Sequence, residues 1–335
     1  MKKILCYSRF LGTNAGGAEI SFVQKILEDN KQNEYAFFNS YTKKHRFGDS
    51  VKEQKFSEIT TLNNIKPFLI ISMFPLLEYF MNRSYILNKI DFNSYDEIWV
   101  YGFWSPIFAK ISDKKNVRFF VRSETDLGIF ENYNYGLRFI IKLIHNILEL
   151  PFKYVYLKDL KKLYLNSEII SNSKYTSKLV YEIFNRESIV EYPKITNDLL
   201  LLKQKGGYRG DKITFVGDSR QKGIHVFKCI AAYFRKETFR IFSRTVKKIY
   251  RRDNIIYMPW TDLPSDIYID SKLIIVPSQW KEAFGRVAYE ASFLNIDVIV
   301  SNIGGLPEAV KYNKDHIVNN FSDPEAWIKK IEEKL

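Results

Sequence analysis

The sequence predicts an α/β protein made of two parallel-sheet units, and three observations predict it. Short apolar runs alternate with segments whose apolar residues recur at helical spacing, the pattern of strand–helix–strand units. The alternation stops near Tyr192 and starts again after a stretch rich in Pro and Gly. The length, 335 residues, exceeds what one hydrophobic core usually serves. Hydrophobic residues make up 46% and aromatics 16%, which excludes a disordered chain.

The first unit, residues 1–193, opens with the apolar run Ile4–Tyr7. The pair Gly16-Gly17 follows, and then Ile20, Val23, Ile26 and Leu27 at helical spacing, with Asn30 as the stop. Strands are expected at Glu34–Tyr41, Asp96–Gly102, Asn116–Arg122 and Ser167–Ser173. The segment FWSPIFAKI reads as helical, and so does Lys174 to about Asn185. Two stretches break the rhythm: Asn63–Ile90, and Gly136–Leu165, which is apolar with many lysines. Pro151 is expected to split the latter into two helices. These stretches read either as helices packed on the sheet or as a basic amphipathic surface on an anionic bilayer or a lipid-linked acceptor.

The boundary falls in EYPKITNDLLLLKQKGGYRGDK, with Pro193, Gly206-Gly207 and Gly210. The second unit, residues 194–335, repeats the alternation. KITFVGD, TFRIFS, NIIYMPW, KLIIVPS and DVIVSN are its strands, and HVFKCIAAYF is a helix. A last helix has Asp323 as N-cap and Pro324 at its first position.

Charge narrows the function. Fifty-one Lys and Arg against 38 Asp and Glu leave +13, which favours an anionic partner. Nucleic acid is one such partner, but no binding module or dense basic tail is present. Cys6 and Cys229 lack metal-type spacing, and His45, His145, His225 and His316 form no ligand set. The start, MKKILCYSRF, has no apolar run of signal-peptide length, and no window is long and apolar enough to span a membrane. A reduced, cytoplasmic setting is the simplest expectation, with peripheral contact to the inner membrane face through the basic stretches.

The most informative stretch is Pro277–Val310, PSQWKEAFGRVAYEASFLNIDVIVSNIGGLPEAV, with FVGDSRQKG and GGAE upstream. Glu282 falls beyond a strand end and Glu290 about two turns into the next helix; ligands bind at such strand ends. Taken alone, two glutamates here would more often complement a helix dipole. In this order, however, the chain resembles the family four retaining glycosyltransferases. The resemblance implies the GT-B fold, two Rossmann-like domains with parallel sheets facing across a cleft. It also implies a nucleotide-diphosphate sugar of UDP or GDP type as donor, a glycan or lipid-linked acceptor, and no cofactor.

The resemblance assigns roles residue by residue. It places Glu282 against the donor sugar and Lys222 on the diphosphate, as the catalytic pair. Glu290 matches the residue that holds the ribose hydroxyls, Phe284 and Gly285 the turn whose amides face the sugar and diphosphate, and Gly16 and Gly17 the glycine loop near the donor phosphate. Asp218 stands where family members often carry Arg, and Arg220 is the nearby substitute. Arg244 is another cation at a strand end. Where many members place a histidine by the acceptor, this chain has Arg122 or Ser123, which leaves Arg122, Glu124 and Asp126 as acceptor-side contacts or an acceptor base. No Asp-any-Asp metal motif is found, Glu124-Thr125-Asp126 being the nearest, so metal-independent catalysis is expected. The same fold also suits a sugar-nucleotide epimerase.

Overall fold

The computed structural model describes residues 1–12, 17–29, 33–40, 62–71, 73–129, 139–205, 210–261 and 263–335. Gly16, Asn30, Gly206-Gly207 and the start of the lysine-rich apolar stretch lie outside them. The chain divides into two compact units, Met1–Asn172 with Thr176–Tyr192, and Pro193–Leu335 with Ser173–Tyr175.

The first unit runs β1 (Lys3–Ser8), α1 (Gly17–Asp29), β2 (Glu34–Asn39), β3 (Leu62–Asn64), α2 (Pro75–Leu87), β4 (Glu97–Tyr101), β5 (Asn116–Val121), α3 (Phe139–Asn166), β6 (Glu168–Ser171), α4 (Lys174–Phe184) and β7 (Ile189–Val190). Its seven strands are ordered β3-β2-β1-β4-β5-β6-β7 and pair in parallel throughout. The central strands are buried on both faces, which is why they read as continuous apolar runs rather than alternating ones. On one face Ile4, Cys6, Phe22, Val23 and Trp99 pack together; on the other Leu5, Tyr7, Phe108, Tyr156 and Leu160 do.

Two expectations for this unit are corrected. Pro151 does not split the lysine-rich stretch: α3 is continuous through it. A proline removes one backbone donor, here the partner of the Ile147 carbonyl, but Ile147 and Pro151 lie on the exposed side where water can serve that oxygen. Meanwhile Tyr156, Leu160, Leu163 and Tyr164 are fully buried and hold the helix on the sheet. The segment FWSPIFAKI is a 3₁₀ turn over Ser105–Lys110, not an α-helix. Pro106 stands in its first turn, and Ile107, Phe108 and Ala109 are buried beneath it.

The second unit runs α5 (Asn197–Gln204), β8 (Lys212–Val216), α6 (Ile224–Tyr233), β9 (Thr238–Ser243), β10 (Tyr250–Arg252), β11 (Ile255–Pro259), α7 (Ser265–Tyr268), β12 (Ser271–Val276), α8 (Arg286–Phe293), β13 (Asp297–Ser301), α9 (Leu306–Ala309), β14 (Ile317–Val318) and α10 (Pro324–Glu332). The order is β10-β11-β9-β8-β12-β13-β14, parallel except for the β10–β11 edge pair. The boundary stretch is not bare linker, since Leu199 of α5 is fully buried. Asp323 caps α10 by accepting from the amide of Glu325. Trp327 and Ile331 anchor that helix against Phe227 and Ile230 of α6.

In both sheets the strand order reverses beside the first strand of the unit, between β1 and β4 and between β8 and β12. Crevices open beyond the carboxyl ends of strands at such points.

Candidate functional site

In the second unit the reversal point brings two loops together. One follows β8 and carries Lys222; the other follows β12 and carries Ser278 and Glu282. The loops touch closely because Gly223 has no side chain. It sits at φ +85°, and a Cβ there would run into the Pro277 carbonyl oxygen. The Gln279 amide then donates to the Gln221 carbonyl at 2.7 Å. Lys222 Nζ is thereby set 2.9 Å from Glu282 Oε1, and the Ser278 hydroxyl donates to the same oxygen at 2.6 Å. Trp280 completes the wall, its ring centre 5.7 Å from Lys222 Nζ.

Glu282 is held from behind as well. Gly304, at φ +60°, lies so near the Glu282 backbone that a Cβ there would meet its carbonyl oxygen, and the Gly305 amide donates to that oxygen at 2.7 Å. The two glycines after β13 therefore buttress the glutamate. Burial pushes the Glu282 carboxyl upward, but the Lys222 charge and the Lys222 and Ser278 hydrogen bonds outweigh it and hold the group below its ordinary range. Glu282 is thus a carboxylate at neutral pH, with a cation beside it.

Phe284 is buried in the core under this loop, and Gly285 caps α8 in the left-handed region. Glu290, one turn further along, is buried; it takes hydrogen bonds from Arg286 and, at 2.5 Å, from the Tyr268 hydroxyl. Arg220 is exposed in the Lys222 turn and makes no ion pair among the described residues. Asp218 accepts from Ser243 at 2.7 Å. Arg244 stacks on Trp260, 4.5 Å from its ring, beyond the ends of β9 and β11. There Phe242, Met258, Trp260, Thr261 and Asp266 line a cavity of about 470 Å³. Ser278, Trp260 and Tyr268 escaped the sequence reading. The signal for the first two was their position at strand ends, Trp260 directly after β11 and Ser278 two residues after β12; Tyr268 had none.

In the first unit, Gly17 begins α1, while Arg122, Glu124 and Asp126 follow β5. Asp126 is buried and acts locally: Oδ2 accepts from the amides of Arg122 and Ser123 and from the Ser123 hydroxyl, each at 2.9 Å. That capping box explains why Glu124-Thr125-Asp126 is a turn rather than a metal motif. Among the described residues no group of three His, Cys, Asp or Glu is placed to hold a metal ion, and no helix is long and apolar enough to cross a membrane.

Residues 236–335, which include Glu282, Phe284, Gly285 and Glu290, match the family of glycosyl transferases group 1. Through this segment the chain is similar to that family. The chain is also 32% identical over 89 residues to spore coat protein SA of Bacillus subtilis, a match spanning 25% of this chain and 23% of that protein. Only about a quarter of that relative is covered. Over 99% of its length the chain resembles sucrose-phosphate synthase from Thermosynechococcus elongatus, at 16% identity and a TM-score of 0.72, covering 89% of that chain. It also resembles Anabaena HepE, crystallised with UDP and glucose, at 13% identity and a TM-score of 0.64, over 99% of this chain and 89% of the other. The fold accompanying the group 1 segment is GT-B.

Proposed function

We propose that the chain is a retaining, metal-independent glycosyltransferase. It moves a sugar from a nucleotide-diphosphate donor to a glycan or lipid-linked acceptor in the synthesis of envelope or surface glycoconjugates. The observation that carries this reading is the Lys222–Glu282–Ser278 cluster at the reversal point of the second sheet, beside the group 1 segment. In this reading residues 194–335 bind the donor and residues 1–193 form the acceptor side.

The chemistry follows from charge. When the bond between the sugar carbon and the phosphate oxygen breaks, its electron pair stays on that oxygen. Lys222, the exposed Arg220 and the amides opening α8 stabilise the new charge. To reach the diphosphate Lys222 exchanges Glu282 for a more highly charged anion. Glu282 is then left beside the carbon where positive charge grows. The acceptor oxygen bonds to that carbon on the face the phosphate leaves, and its proton passes to the phosphate oxygen. Glu290 has lone pairs beyond those used by Arg286 and Tyr268, and these serve the ribose hydroxyls. HepE was crystallised with UDP, which makes UDP the first donor base to try.

The outer side of α3 exposes Ile147, Leu148, Leu150 and Tyr154 among Lys153, Lys158 and Lys161. Apolar residues flanked by lysines suit an anionic lipid surface. Co-sedimentation with phosphatidylglycerol vesicles, lost at high salt, is the expected result; no binding at low salt would point to a soluble acceptor.

The decisive test of the donor reading is thermal unfolding with UDP, GDP and ADP. A nucleotide that binds the folded state raises the melting temperature, and Lys222→Ala abolishes the rise. No shift with any of the three refutes the donor reading. Incubation with donor alone separates transfer from epimerisation, because an epimerase changes the sugar without an acceptor.

A further inference from the structure

Glu282 Oε1 takes hydrogen bonds from two donors of opposite character, and the donor chemistry above uses only one of them. Lys222 Nζ lies 2.9 Å away and the Ser278 hydroxyl 2.6 Å away. The lysine is a charged group on a flexible four-carbon stem, with 37% of its side chain exposed. The serine is short, neutral and fully buried.

Ser278 has nowhere to go. Pro277 before it lies against Gly223, and the Gln279 amide after it donates to the Gln221 carbonyl at 2.7 Å. The Gln279 side chain also reaches back, donating to the Pro277 carbonyl at 2.9 Å. The other end of the bond is fixed too, because the Gly305 amide holds the Glu282 carbonyl. With both backbones pinned, hydroxyl and carboxylate hold each other in one geometry. An anion entering the site therefore separates the two donors: the lysine turns to it and the serine stays.

The difference matters because the Glu282 side chain is only 13% exposed, and burial opposes its charge. A buried carboxylate that loses its cation and keeps no donor is costly; it takes up a proton or swings toward water. The Ser278 bond leaves it a donor.

We propose that Ser278 is a positioning residue which, resting on the transferase reading, holds the Glu282 carboxylate against the sugar carbon once Lys222 has moved to the diphosphate. It acts through Glu282 and transfers no group.

The test compares Ser278→Ala, which removes the bond, with Ser278→Thr, which keeps a hydroxyl. Turnover of the full chain is followed as release of UDP from UDP-glucose, with methyl glucoside as acceptor probe. Ser278→Ala lowers kcat about ten-fold or more, the scale of one hydrogen bond to a charged group, and leaves the donor KM within about two-fold. Ser278→Thr recovers part of the loss. Ser278→Cys, close in shape but a weak donor, serves if Ser278→Ala does not fold. A second readout needs no donor: ¹³C NMR of protein labelled at its glutamate carboxyls, with Glu282 identified by its loss in Glu282→Gln. Lys222 faces this carboxyl from the loop after β8, Ser278 and Trp280 face it from its own loop, and Gly304-Gly305 offer only backbone. Removing the Ser278 donor raises the pH at which Glu282 takes its proton. An unchanged kcat, a loss borne by KM alone, or identical Glu282 titrations in wild type and Ser278→Ala overturns the proposal. Where the probe pair gives no turnover, the titration alone decides. A titration that moves in a protein giving no thermal shift with UDP, GDP or ADP keeps Ser278 as the anchor of Glu282 and removes the donor reading instead.

Discussion

Glu282 and Glu19 occupy matching places, each at the carboxyl edge of a seven-stranded sheet beside the point where strand order reverses. Their neighbours make them opposites. Glu282 faces Lys222 and Ser278 and is held below its ordinary range, so it stays charged. Burial, with the Asp126 carboxyl adding to it and Arg122 opposing it, moves Glu19 up to about 7, so it keeps its proton close to neutral pH. One fold position thus yields a charged carboxylate beside a cation, suited to phosphate chemistry. The other yields a group that accepts or donates a hydrogen bond according to pH. Burial raises both carboxyls; at Glu282 the Lys222 charge and hydrogen bonds overcome it, and at Glu19 they do not.

The sharpest way to break the contrast is to remove the cation. Lys222→Ala and Glu282→Ala each lower transfer by about 10²–10³-fold, the scale set by loss of one stabilising donor at a developing oxyanion. Circular dichroism of both variants should match the wild type, since neither side chain is part of a core cluster. Unchanged steady-state rates in both variants would remove these residues from the site.

The next effect separates the glutamates by pH. Glu19 binds its proton more tightly folded than unfolded. Its contribution to stability is therefore full below about 4.5 and lost as pH rises through about 7, a change of about 3 kcal/mol. Glu282 runs the other way: its contribution is present above its ordinary value and lost as pH falls through the lowered one. Urea unfolding of wild type and Glu19→Gln between pH 5 and 9 reads the difference. The wild type should lose stability toward pH 9, and Glu19→Gln should flatten that slope. Parallel curves would show that Glu19 does not hold its proton.

Gly223→Ala tests the loop contact that sets Lys222 against Glu282. It should cost about 2 kcal/mol or more, because the new methyl group meets the Pro277 carbonyl at a backbone angle that alanine resists. Unfolding midpoints measure it, and an unchanged midpoint would mean the two loops part easily. The smallest expected effect is that of a chelator: transfer in excess EDTA stays within about two-fold of the untreated rate, and its abolition would replace the Lys222 cradle with a metal.

Sequence alone determined most of the strands, their alternation with helices, the loops that bear Lys222 and Glu282, and the helix that bears Glu290. These are local matters: apolar runs, helical spacing and glycines at turns act within a few residues of themselves. It mistook Pro151 for a break, because a proline's local cost is visible in sequence while the burial of Tyr156, Leu160 and Leu163 that overrides it is not. The short strands β3, β7, β10 and β14 passed unseen, since two or three residues carry no periodicity and exist only by pairing with a neighbour. What only the tertiary structure decided is which charges meet. Lys222 and Glu282 are sixty positions apart, and Glu19 and Asp126 more than a hundred. Only folded parallel sheets, which collect distant loops at one edge, bring such pairs together. Whether a buried glutamate there meets a lysine that outweighs its burial sets its proton affinity, and with it the chemistry it can perform.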